Sequence, residues 1–209
     1  RVYFLVQFDN CEFLDDIIKF HMKKVVLIHG WEGYPEEGWR PWLRKKLEDK
    51  GFEVVVPAMP DTKKPTIEVW LPFLQNLVGK PTKNDFFVGH SLGCITILRL
   101  IEHLKEGEEV GGAVLIAGFG EDLKYNGYKH ELASFFAAPI NWAKIKSHCE
   151  KFIAIHSSDD PFVSLENGEL FKQMLDAETL VIPNMKHFSG DDGVNELPSV
   201  LKSVLKLSS

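Results

Sequence analysis

Cysteine is scarce in this chain of 209 residues: Cys11, Cys94 and Cys149 are odd in number and widely scattered. No disulfide framework and no spaced zinc ligands can be built from them, so a reducing, cytoplasmic setting is expected. Long apolar runs are also missing. Residues 1–21 are interrupted by Asp9, Glu12, Asp15 and Asp16, which argues against a signal peptide or a membrane span. Clustered basic charge is absent and the net charge is −6, which argues against a nucleic-acid or anionic-membrane surface. There is no internal repeat and no low-complexity tract. No glycine pattern of the phosphate-cradling kind opens a helix, so no nucleotide cofactor is implied. Asp191-Asp192, in Ser-Gly-Asp-Asp-Gly, resembles a fragment of a cation loop but lacks the spaced ligands and the terminal Glu. No metal and no other cofactor are expected.

What is present is an ordinary globular composition, 44% hydrophobic and 26% charged, long enough for a three-layer core. From Lys24 onward, short apolar runs alternate with amphipathic stretches. The runs at 25–28, 53–56, 86–88, 112–117, 152–155 and 179–182 read as strands. The stretches at 39–50, 67–78, 92–104, 165–175 and 197–207 read as helices, with Pro72 implying a kink or a late start. Such alternation implies a mainly parallel six-stranded sheet covered on both faces, an α/β three-layer sandwich. The segment 118–151 breaks the rhythm and reads as a modest insertion holding helices near Ala133 and at 142–148, too short for a lid domain. Residues 1–21 are expected to be an extension preceding a single domain at 22–209. The alternative gives them a seventh, edge strand (Val2 to Phe8) and a short helix (Phe13 to Phe20).

The chemistry centres on Gly89-His90-Ser91-Leu92-Gly93, set between an apolar strand-like run and a run with helical spacing. Gly-x-Ser-x-Gly in that context describes a nucleophile elbow, the turn that exposes a serine at the top of an α/β-hydrolase sheet. The glycines let strand and helix backbones approach closely, and the serine must take a strained backbone conformation. A serine hydroxyl needs an imidazole to accept its proton and a carboxylate to orient that imidazole. On this fold the acid and then the base follow the nucleophile in the chain. Among eight histidines only His187, on the loop after the last strand, has the right order and place. His29 and His90 adjoin the site without that order. The acid falls on Asp159-Asp160 after the fifth strand. Asp160 is preferred over Asp159 because Asp160-Pro161-Phe162-Val163 fits the acid-x-x-Val spacing. The backbone N–H groups of Leu92 and Trp31 are the expected oxyanion donors. Phe119, Phe162 and Phe188 follow strand ends or touch these loops and are candidates to line an acyl pocket, although loop packing alone would also account for them.

Met59-Pro60-Asp61, Trp70-Leu71-Pro72-Phe73, Gly89-His90-Ser91, Trp142-x-Lys144-Ile145-Lys146 and Asp159-Asp160-Pro161-Phe162 together resemble the small serine hydrolases related to retinoblastoma-binding protein nine. The resemblance runs from about Met22 to the C-terminus. It implies a compact α/β-hydrolase with little or no lid, and places nucleophile, acid and base on Ser91, Asp160 and His187. A retinoblastoma-type partner is not implied, because no cysteine here lies in Leu-x-Cys-x-Glu. The expected activity is hydrolysis of small carboxylic esters, with thioesters or small amides as further substrates. Two other readings stay open: a binding module on the same fold, and a carbon–carbon hydrolase or lyase.

Overall fold

The computed structural model describes residues 22–123 and 132–209. The expectations for residues 1–21, and the start of the helix expected near Ala133, lie outside the described residues. In the described residues the elements are β1 (Lys24–Ile28), α1 (Arg40–Glu48), β2 (Glu53–Val55), α2 (Ile67–Val78), β3 (Asp85–His90), α3 (Leu92–Glu102) and β4 (Gly112–Ile116). They continue with a 3₁₀ turn (Ser134–Phe136), α4 (Trp142–His148), β5 (Phe152–Ser157), α5 (Glu166–Leu175), β6 (Glu178–Ile182) and α6 (Pro198–Leu207).

The six strands form one sheet in the order β2-β1-β3-β4-β5-β6, with every pairing parallel. Strand side chains alternate between faces. Val26 and Ile28 join Trp70, Ile97, Ile145 and Phe171 on one side. Val25 and Leu27 join Trp39, Leu43, Val200 and Val204 on the other. Helices α2 to α5 therefore cover one face, and α1 and α6 the other. This is the expected three-layer α/β arrangement.

Two details sharpen the expectation. β3 and β5 run further than their most apolar cores, to His90 and Ser157, because β4 on one side of β3 and β6 on one side of β5 supply ladder partners to the last residues. Helix α2 starts at Ile67 despite Pro72. The proline is exposed, and so is Glu68, whose carbonyl loses its helical partner and is left at the solvent-facing side. The insertion is stapled to α3 by a buried pair. Arg99 donates from Nε and Nη2 to the Phe135 carbonyl and pairs with Glu102, which accepts the Asn141 N–H.

Candidate active site

Ser91 stands between the end of β3 and the start of α3, with φ 53° and ψ −119°. A side chain at positive φ is strained, by about 1–3 kcal/mol. Sterics hold it there. A Cβ on Gly93 would sit 2.4 Å from the Ile28 carbonyl oxygen, and one on Gly89 would sit 2.8 Å from the Cys94 backbone. The helix can start against β1 only without those carbons. The Cys94 thiol, buried below the turn, donates to the Ile116 carbonyl, and burial pushes its pKa up.

Asp160 follows β5. Its carboxylate, buried at the side chain, accepts the N–H groups of Phe162 (2.9 Å) and Val163 (3.1 Å) through Oδ1. His187 follows β6, and its Nδ1 lies 2.9 Å from Asp160 Oδ2 and 3.1 Å from Oδ1. A carboxylate only accepts, so Nδ1 carries the proton in the neutral ring and Nε2 is left as the acceptor. Phe162 stands edge-on against that ring, with centroids 5.1 Å apart. Asp159 does something else. It accepts the Ser157 hydroxyl (2.6 Å) and the Lys186 N–H (3.0 Å), and is held below the usual carboxylate range chiefly by the Ser157 bond.

Ser91 and His187 line one cavity of about 330 Å³. Leu92, Trp31, Phe119 and Phe162 line it as well. Phe188 does not: it is fully buried in the core beneath α1 and α6, and contributes its carbonyl, which accepts from Trp39 Nε1 at 2.9 Å. Leu92 is the first residue of α3, so its N–H has no partner within the helix. Trp31 both borders the cavity and packs against the core. Among the described residues no Ser91–His187 hydrogen bond is formed; such catalytic hydrogen bonds often tighten only in the complex with substrate.

The remaining histidines near the site hold loops. His90, fully buried, donates from Nε2 to the His187 carbonyl (2.7 Å). His29 donates from Nδ1 to the Gly30 carbonyl (2.9 Å) and accepts the Met59 N–H on Nε2 (3.1 Å). His156 donates from Nε2 to the Gly118 carbonyl (2.9 Å). Burial is the main cause that lowers all three pKa values, so each stays neutral. Only proximity to strand ends hinted at this, because sequence does not show hydrogen-bond partners.

Residues 25–206 match the family described as serine hydrolase. The chain belongs to the serine hydrolase family. It is 32% identical to YdeN of Bacillus subtilis over 178 residues, 85% of this chain and 92% of that one. It is also 32% identical to serine hydrolase RBBP9 of Rattus norvegicus over 186 residues, 87% and 95% of the two chains. The crystal structure of the Bacillus subtilis ydeN product superposes with a TM-score of 0.84 at 31% identity, over 89% of this chain and 98% of that one. A structure from a study of carboxylesterases of the thaumarchaeon Nitrososphaera gargenis matches with a TM-score of 0.68 at 16% identity, over 90% and 91%, a likeness of fold. Among the described residues of this serine hydrolase, no three His, Cys, Asp or Glu side chains gather as a metal site. No described helix is long and apolar enough to cross a membrane.

Proposed function

We propose that this serine hydrolase cleaves small carboxylic esters through an acyl-enzyme on Ser91. The observation that carries the reading is one cavity holding a strained serine and an imidazole whose Nδ1 lies 2.9 Å from a buried carboxylate. Ser91 Oγ attacks the ester carbonyl carbon while His187 Nε2 takes its proton, and Asp160 steadies the imidazolium that forms. The carbonyl oxygen gains charge and is met by the Leu92 and Trp31 amides. Collapse breaks the ester C–O bond, and the alcohol leaves with the proton from His187. A water molecule then repeats the sequence, releasing the acid and restoring Ser91.

The size and lining of the cavity support small acyl groups. About 330 Å³ is near the lower end for ligand sites, and Phe119, Leu123, Leu132 and Val163 make one side apolar. The test is covalent. A fluorophosphonate probe labels the wild type and leaves Ser91→Ala unlabelled, and short-chain p-nitrophenyl esters are turned over faster than long ones. Equal labelling of both proteins overturns the assignment of Ser91, and a strong preference for long chains overturns the small-ester reading.

A further inference from the structure

The loop that carries His187 adopts an unusual backbone. Asn184, Lys186 and Phe188 have φ of 59°, 45° and 57°, so left-handed residues alternate through it without a single glycine. L-residues avoid that region by about 1–2 kcal/mol each. Hydrogen bonds offset the cost. Every backbone N–H from Met185 to Gly190 is taken, and only that of Phe188 goes to the backbone, at Met185 O. Met185 donates to Ser157 Oγ, Lys186 to Asp159, and Gly190 to Glu37, whose other oxygen pairs with the buried Arg40.

One oxygen takes more of these donors than any other acceptor. Asp192 Oδ2 accepts the N–H of His187 (3.1 Å), the N–H of Ser189 (3.1 Å) and the hydroxyl of Ser189 (2.7 Å). Three donors converging on one carboxylate oxygen is an arrangement that a charged acceptor favours. Burial opposes the charge, yet the bonds from Ser189 and the His187 amide keep its carboxyl below the usual carboxylate range. His187 is thus fixed at three points: N–H on Asp192, carbonyl on His90, ring on Asp160. Asp192 does not line the cavity, whereas its neighbour Asp191 does.

We infer that Asp192 is a positioning residue for His187, holding the strained peptide that aims the imidazole; the kinetic part rests on the hydrolase reading above. Loss of the clamp lets the loop relax toward ordinary φ values and shifts the ring while the substrate walls stay in place. A misplacement of about 1 Å can cost a factor of about 100 in rate. With p-nitrophenyl acetate, Asp192→Ala lowers kcat by about 10–100-fold and leaves KM within about twofold. Asp192→Asn keeps one carbonyl oxygen for the same donors and falls only about 3–10-fold. In proton NMR the downfield Nδ1–H signal of His187 is lost from Asp192→Ala and retained by Asp192→Asn. Glu196→Gln, an exposed change nearby, alters neither readout. An unchanged kcat and signal in folded Asp192→Ala, or a loss confined to KM, overturns the inference. If Asp192→Ala does not fold, Asp192→Asn decides: kcat and signal both equal to the wild type overturn it. A wild type inert toward the ester defeats the hydrolase reading, and the NMR signal still decides the clamp.

Discussion

The elbow and the His187 loop both hold L-residues at positive φ, but they enforce the strain by opposite means. At Ser91 the conformation is imposed by close backbone contact, and it depends on two carbons that are not there, at Gly89 and Gly93. Around His187 the chain is held by hydrogen bonds instead, with polar side chains of His90, Ser157, Asp159, Asp192 and Glu37 tying the peptides down. Packing strain of the first kind is rigid and all-or-none, since the interior is close-packed. Hydrogen-bonded strain of the second kind comes apart bond by bond and answers to pH.

The largest effect expected is at the elbow. Gly93→Ala places a carbon 2.4 Å from the Ile28 carbonyl oxygen and 2.8 Å from that of His29, and neither backbone atom can yield cheaply. Overpacking on this scale costs about 3 kcal/mol or more, read as a fall in the urea midpoint. A loss under about 1 kcal/mol would show that the turn has slack and would erase the contrast.

Next in size is a pH effect shared by both regions. His29, His90 and His156 are neutral in the folded state because burial lowers their pKa values. The unfolded chain protonates them near the ordinary value of about 6.5. Below that pH the unfolded state therefore binds more protons, and stability falls as pH drops. Each histidine contributes up to about 1.4 kcal/mol per pH unit. His156→Gln, which can still donate to Gly118, reduces the slope of stability against pH in chemical denaturation below about pH 6.5. An unaltered slope would place the acid sensitivity elsewhere.

The smallest effect is a gain. Ser91→Gly accepts φ 53° without strain, and its extra unfolded-state freedom subtracts only part of the benefit, so Tm rises by the equivalent of about 1 kcal/mol. A fall in Tm would show that Ser91 is not strained where it stands.

The same contrast explains what the sequence made legible. Sheet and elbow were readable because apolar periodicity and glycine spacing are local, and sterics follow from them. The chain order Ser91, Asp160, His187 could be read from the expected topology, and the structure brings these three side chains to one end of the sheet. Asp192 looked like a fragment of a cation loop and Asp159 like a rival acid, because their partners are backbone amides and nearby serine hydroxyls, a pairing that carries no sequence signal. Phe188 was a pocket candidate by adjacency, yet its φ of 57° belongs to a chain path that buries the ring in the opposite core. The Arg99–Glu102 staple was hidden in an otherwise apolar helix, since its partners are carbonyls and an amide about 35–40 positions away.

His90 sits beside Ser91, and its ring lies 5.1 Å from that of His187. Its Nε2–H is committed to a carbonyl, and burial holds the ring neutral. Two imidazoles thus border the same cavity as the serine, and burial keeps the His90 ring from taking a charge. The neighbour works as an electrical insulator and a mechanical strut together, so in the proposed reaction the proton leaving Ser91 has one route to follow.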